Sequence, residues 1–227
     1  MRIVCISDTH GVFYKALPEG DVLIHAGDFS RRSILEEVDE FAEWLAEQPH
    51  AHKIVVAGNH DVAFERDPEE ARKRLLIDDS ITYLQDSGME IDGVKFWGSP
   101  WQPEFYDWAF NLPRGKALDQ KWKLIPKDTD VLITHGPPFG FLDECPHFRW
   151  RHVKEKVGCR ELARHVQERV QPKLHVFGHI HESAGVQELD GTLYINACTM
   201  DGRYMPVHRP HIVDFADHVT YVGSPPS

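Results

Sequence analysis

Five apolar runs in this chain end in residues that can hold a cation or carry a proton. "RIVCISDTH" (2–10) delivers Asp8 and His10, and "DVLIHAGD" (21–28) delivers Asp28. "KIVVAGNHD" (53–61) delivers Asn59, His60 and Asp61. "DVLITHGPP" (130–138) ends on His135, and "KLHVFGHIH" (173–181) on His179 and His181. Any one of these residues has an ordinary explanation as a turn or capping residue. Five run ends supplying only Asp, Asn and His do not. No thiolate is in the set. Imidazole, carboxylate and amide oxygen together suit Mn²⁺, Fe²⁺, Co²⁺, Ni²⁺ or Zn²⁺. Seven such ligands are too many for one ion with an open position and suit two, held about 3.5–4 Å apart to act on one phosphoryl group. A carboxylate with one oxygen facing each ion is the natural bridge.

The elements that must position these residues are legible from pattern. The runs are β-branched and nearly continuous, as expected of strands buried on both faces. Between them lie helical patterns. Residues 34–47 put Ile34, Val38, Phe41, Trp44 and Leu45 near one face, with Ser33 as the expected N-cap and Glu36 three residues on. Residues 68–77 open on Pro68 with acids behind it, and 158–170 form a third helix stopped before Pro172. Short strands are expected at 185–189, 192–195, 211–215 and 218–222, with a turn at Asp190-Gly191. Strand–helix alternation followed by hairpins predicts an α/β domain with a mixed sheet or two sheets. Its ligands would collect at the carboxyl ends of strands. One domain over 1–222 and a loose tail over 223–227 are expected.

With 227 residues the chain has ample length for a core. It lacks the run of about 18 apolar residues that a membrane helix needs, and its N-terminal apolar stretch is too short for a signal peptide. A cytoplasmic protein with no membrane partner is expected. Cys5, Cys145, Cys159 and Cys198 form no CxxC pair and read as structural thiols. The formal charge of −11 argues against an extended nucleic-acid partner, yet leaves an anionic substrate open because bound cations reverse the local field.

"DTH", "GD", "GNHD", "THGPP" and "GHIH", in this order, resemble the five motifs of the calcineurin-like metallophosphoesterase superfamily. The similarity spans residues 5 to about 199. "GSPWQPEFYDWAFNLPRG" (98–115), "THGPPFGFLDE" (134–144), "FGHIHESAG" (177–185) and "NACTMDGRYMPVHRP" (196–210) are similar to a subgroup of small metallophosphoesterase-domain-containing phosphodiesterases. The resemblance implies a four-layer α/β/β/α sandwich with two mixed sheets. It implies two divalent metal ions, Mn²⁺ foremost. Asp8, His10 and His181 would bind the first, Asn59, His135 and His179 the second, and Asp28 would bridge them. Two divalent ions with two aspartates and a bridging hydroxide leave the site at roughly +1, and a neutral Asn59 preserves that charge. A metal lowers the pKa of its water from 15.7 to about 7, so the bridging hydroxide would attack phosphorus in line. His60, beside a ligand but not assigned to a metal, would give the leaving alkoxide its proton, with Asp61 orienting it or structural.

The implied activity is hydrolysis of a small phosphodiester, plausibly a cyclic nucleotide. Alternatives are a nuclease or phosphomonoesterase of the same superfamily, or a non-enzymatic nucleotide-binding scaffold. A phosphoprotein phosphatase fits less well, because "GDFSRRS" puts Arg31, followed by Arg32, where that family has an acid before its arginine. The aromatic segment 96–110 reads first as core or covering loop, and second as a wall that stacks a nucleobase. The basic stretch 147–156 reads as a solvated face, with a clamp for a second phosphate as the functional alternative. His25, His50, His52, His165, His175, His208 and His211 lie off the motifs and are read as structural or exposed. Natural substrate and oligomeric state are not legible.

Overall fold

The computed structural model describes residues 1–31, 34–146, 153–216 and 218–224, and the counts below are of those residues. Two six-stranded mixed sheets pack face to face. In the first, strands Arg2–Ile6, Val22–His25, His52–Val55 and Ile81–Tyr83 run parallel. His211–Phe215 and Val219–Gly223 extend it antiparallel beyond Arg2–Ile6. In the second, Val94–Ser99, Val131–Thr134, Leu174–Phe177 and Thr192–Asn196 run parallel. Ser87–Ile91 and Gly185–Leu189 form its antiparallel edges.

The period of two along a strand explains why the runs are apolar throughout. Ile3 and Cys5 turn into the space between the sheets, where they meet Val131, Ile133, Leu174 and Val176. Val4 and Ile6 turn the other way, under Val38, Phe41 and Leu45 of helix Leu35–Ala46 and Ala71 and Leu75 of helix Pro68–Leu75. On the second sheet, Leu132 and Phe177 face outward against Leu118 and Trp122 of helix Lys116–Trp122 and Leu162 of helix Arg160–His165. The layers are therefore α/β/β/α, as the resemblance implied. The parallel strands of both sheets end along a common edge. There an isolated bridge pairs Ser7 with Cys198, and Thr199 N–H donates to the Ser7 carbonyl at 2.9 Å.

Helix boundaries differ from expectation where capping chemistry overrides periodicity. The first helix starts at Leu35 with Ile34 as N-cap, and Glu37, not Glu36, accepts from the Ile34 N–H at 3.4 Å. Ser33 and Arg32 lie outside the described residues. The helix expected over 68–77 ends at Leu75, with Asp67 capping its start by accepting from Glu70 N–H. The helix expected over 158–170 begins at Arg160 behind Cys159, whose sulfur accepts from Leu162 N–H at 3.4 Å. It loosens into a π turn over Val166–Val170 and stops at Gln171 in the left-handed region. The last strand reaches Gly223, one residue into the expected tail, and 225–227 lie outside the described residues. The basic stretch 147–156 is described only from Val153 on. There Lys154–Lys156 pairs with Glu144–Pro146 and Lys154 lies 3.8 Å from Glu144. All four cysteines are free.

His175 is buried in this fold, with Nε2 2.9 Å from Thr134 Oγ1 and no partner at Nδ1. Burial lowers its pKa to about 3. The folded state then holds this ring neutral while the unfolded chain takes up a proton near pH 6.5. The unfolded state binds more protons below that pH, so this contribution is whole above about pH 6.5 and is lost as pH falls toward 3. Its slope approaches ~1.4 kcal/mol per pH unit. In denaturant titrations of metal-free protein from pH 7 to 5, His175→Phe should flatten the pH dependence. A slope equal to that of the parent chain would show that His175 does not titrate on unfolding.

Candidate metal centre

The proposed ligands and His60 converge on that common edge. Asp8 and His10 follow strand Arg2–Ile6, and Asp28 follows Val22–His25. Asn59 and His60 follow His52–Val55, His135 follows Val131–Thr134, and His179 and His181 follow Leu174–Phe177. The backbone turns sharply to present them. Asp8, His10, Asp28 and His179 have φ of 55°, 44°, 57° and 69°, a left-handed conformation that costs of order 1–3 kcal/mol for a non-glycine residue. Asp and His are among the types that tolerate it. Cross-strand bonds hold it, including Asp8 N–H to Gly27 O (2.9 Å) and His10 N–H to Asp28 O (3.0 Å).

The motif glycines have a steric cause. A Cβ on Gly178 would overlap the Asp8 carboxylate and the Ser7 hydroxyl. One on Gly58 would overlap the Asp28 carboxylate and lie 2.6 Å from the His135 ring. The carboxylates thus lie directly against backbone.

The imidazoles are oriented from outside. Nδ1 of His10, His135 and His181 donates to the carbonyls of Ser30 (3.2 Å), Ala26 (3.0 Å) and Asp201 (3.1 Å). That bond fixes the tautomer and turns each Nε2 inward as an acceptor. There His10 Nε2 faces His181 Nε2 at 3.3 Å. His181 Nε2 faces Asp8 Oδ1 at 3.2 Å, and His135 Nε2 faces Asn59 Oδ1 at 2.9 Å. Acceptor meets acceptor at each contact, which either a proton or a cation satisfies. Burial disfavours a proton on His135, but the Asp28 and Asp8 carboxylates raise its pKa to about 9. His181 is raised to about 9 in the same way, with Asp8 as its main partner. Burial would raise the carboxyls, yet His181 and His135 hold Asp8 and Asp28 below the usual range. The donor set fits divalent cations. Asp28 with His135 and His179, His10 with Asp28 and His60, and Asp8 with His181 and Cys198 each present ligand atoms within 4.8 Å of one another.

Several supporting residues had no distinct signal in the sequence. Asp8 Oδ2 accepts from Ser7 Oγ (2.6 Å), Cys198 Sγ (3.1 Å) and His179 N–H (3.0 Å), which leaves Oδ1 turned toward the imidazoles. Cys198, read as an ordinary buried thiol, is therefore part of the site, with its pKa pushed up by burial and then by Asp8. Asp61, expected either to orient His60 or to be structural, is held by backbone donors. It accepts backbone N–H bonds from Gly58 (2.7 Å), Asp28 (2.8 Å) and Ser30 (2.9 Å), tying two ligand loops together. Burial and the Asp28 charge lift its carboxyl to about 7 against those donors.

A cavity of about 830 Å³ opens from the centre, lined by Asn59, His60, His179 and the half-exposed Phe105, Tyr106 and Tyr204. The aromatic segment 96–110 divides between its two readings. Phe96 and Phe110 are core, whereas Phe105 and Tyr106 line the cavity. Tyr204, outside every chemical motif, sets its ring 4.9 Å from His10 and 5.1 Å from His181.

The calcineurin-like phosphoesterase family model matches residues 1–183. Human metallophosphoesterase domain-containing protein 1 is 46% identical, over 94% of this chain and 70% of its own. A UPF0046 protein of Caenorhabditis elegans is 44% identical over 87% of this chain and 69% of its own. Among solved structures, TT1561 of Thermus thermophilus superposes with a TM-score of 0.66 at 16% identity, covering 98% of both chains. That identity shows the fold alone.

Gly178→Ala should displace the Asp8 carboxylate. Metal affinity, read by titrating metal-free protein with Mn²⁺, should fall about 10–100-fold, the loss typical when a supporting contact to a ligand is removed. Parent-like affinity in a folded variant would show that Asp8 tolerates the shift.

Proposed function

Because the chain belongs to the calcineurin-like phosphoesterase family, we propose that it is a dinuclear metal-dependent phosphodiesterase acting on a small phosphodiester, with a cyclic nucleotide as first candidate. In this reading Asp8, His10 and His181 would hold one ion, Asn59, His135 and His179 would hold the other, and Asp28 would be shared between them. The observation that carries it is the reach of Asp28 Oδ2, 4.0 Å from His10 Nε2 and 3.5 Å from His135 Nε2. One carboxylate thus borders both halves of the donor set.

Two divalent ions, Mn²⁺ first and Fe²⁺, Co²⁺, Ni²⁺ or Zn²⁺ as alternatives, would supply an activated water and offset charge on the phosphoryl oxygens. As the water-derived oxygen bonds to phosphorus, the ester P–O bond breaks and its electron pair stays on the leaving oxygen. His60 gives that oxygen its proton. Its backbone N–H donates to Asp28 Oδ1 at 2.7 Å, which fixes the His60 backbone beside the proposed bridging carboxylate. Phe105, Tyr106 and Tyr204 offer flat apolar walls for a nucleobase, each stacking contact being worth about 1–3 kcal/mol. The net charge of −11 supports a small substrate over an extended nucleic acid. No helix among the described residues is long and apolar enough to cross a membrane. We take the chain as one domain over 1–222 working in the cytoplasm.

A second reading makes His60 a ligand, since its ring joins His10 and Asp28 within 4.8 Å. Metal content separates the two. His60→Asn should keep two ions per chain and lose about 10²-fold or more in turnover. A drop in bound metal would instead make His60 a ligand. Metal-free protein reconstituted with each ion should hydrolyse diesters in preference to monoesters, and then be compared on 2′,3′- and 3′,5′-cyclic nucleotides. A monoester preference would overturn the phosphodiesterase reading. Tyr106→Ala should raise KM for a nucleotide substrate about 5-fold or more, with little effect on a diester that has no aromatic group.

A further inference from the structure

The loop between Gln102 and Leu112 meets the centre at several points, and one of them falls on His60. The Trp108 indole stacks on the His60 ring, with centroids 4.2 Å apart and planes at 29°. His60 also meets His10 edge-on at 4.7 Å and 80°. His60 thus contacts both a flat apolar surface and a ring fixed by its own bond to Ser30.

The loop that carries Trp108 is itself fastened. Ala109 N–H donates to the carbonyl of Asn59, the residue before His60, at 3.2 Å. Phe110 N–H donates to Glu65 Oε1 at 2.9 Å, and the Phe110 carbonyl accepts from Gln102 N–H at 3.1 Å. The Asn111 side chain closes the loop from inside. Its Oδ1 accepts from Phe105 N–H at 3.3 Å and its Nδ2 donates to the Tyr106 carbonyl at 2.9 Å. Trp108 also packs on the helix-covered core of the first sheet. The indole is therefore a fixed surface that sets the plane of the imidazole.

We propose that Trp108 is a positioning residue for proton transfer: its stack fixes the His60 ring in the orientation from which it protonates the leaving oxygen. This rests on His60 as the proton donor argued above. A backbone bond sets where His60 begins, but ring direction follows from χ1 and χ2, and packing against the indole selects among their staggered wells. Small misplacements of a reacting group cost up to about 10²-fold in rate. Replacing the indole by a branched aliphatic group keeps apolar cover yet removes the plane.

The test varies the leaving group. Methyl 4-nitrophenyl phosphate releases a stabilised phenolate with little need of a proton, whereas an alkyl leaving group needs one. With metal saturating, Trp108→Leu should lower kcat on an alkyl-leaving-group diester about 10-fold more than on the nitrophenyl diester, with KM changed less than about 3-fold. Trp108→Phe should recover most of the loss. In a His60→Asn background, Trp108→Leu should add almost nothing, because both changes remove the same function. A readout without turnover completes the set: in metal-free protein, the His60 ring protons, assigned by their loss in His60→Asn, should lose their ring-current shift in Trp108→Leu. Equal losses on both substrates, or full additivity with His60→Asn, would overturn the positioning role. If His60→Asn shows no leaving-group dependence, the proton-donor reading fails and this one with it. If it does and Trp108→Leu does not, only the role of Trp108 fails.

Discussion

Asp8 and Asp28 are buried carboxylates, 0% and 2% exposed, at the seam where two sheets meet, and much of the surrounding structure follows from keeping them charged there. A buried ion loses several kcal/mol of solvation unless its lone pairs are met. Asp8 meets a hydroxyl, a thiol, a backbone N–H and an imidazole. Asp28 meets the His60 N–H and the His135 ring. The demand for close approach explains the glycines of the GN and GH pairs, since any side chain at Gly58 or Gly178 would occupy the space of a carboxylate. It also explains the left-handed turns, which cost energy locally and are retained because they aim charge inward.

Much of this was legible from residue order, and what escaped has a physical reason. Near-continuous runs such as Ile3–Ile6 predicted strands buried on both faces, and each face has its own core. The eight candidate residues were found because polar types at strand ends form a local pattern. Their support was not local. Cys198 donates to a residue 190 positions earlier, and Tyr204 reaches His10 across the opening of the site. No spacing rule links such pairs. Helix starts shifted by one or two residues because cap geometry, here the Glu37 and Cys159 side chains, is decided by the backbone path into the helix.

The aromatic segment illustrates how composition understates position. Read as one feature, 96–110 is a dense patch of rings with two competing explanations. Folded, it changes role residue by residue. Phe96 faces the inter-sheet core, Phe110 the helix-covered face, Phe105 and Tyr106 the cavity, and Trp108 the His60 ring. The hydrogen bonds of Asn111 make these roles compatible, because they fold the loop back on itself.

The contact between Asp8 and His181 joins positions 173 residues apart. During synthesis, the strands carrying Asp8 and Asp28 leave the ribosome long before His135 and His181, the imidazoles nearest their carboxylates. The nascent first sheet must therefore carry its carboxylates hydrated, and cannot close over them until residues 179–199 arrive. Dehydration of the seam is then a late event, coincident with docking of the second sheet. A chain stalled before that point would have most of its strands and none of the chemistry.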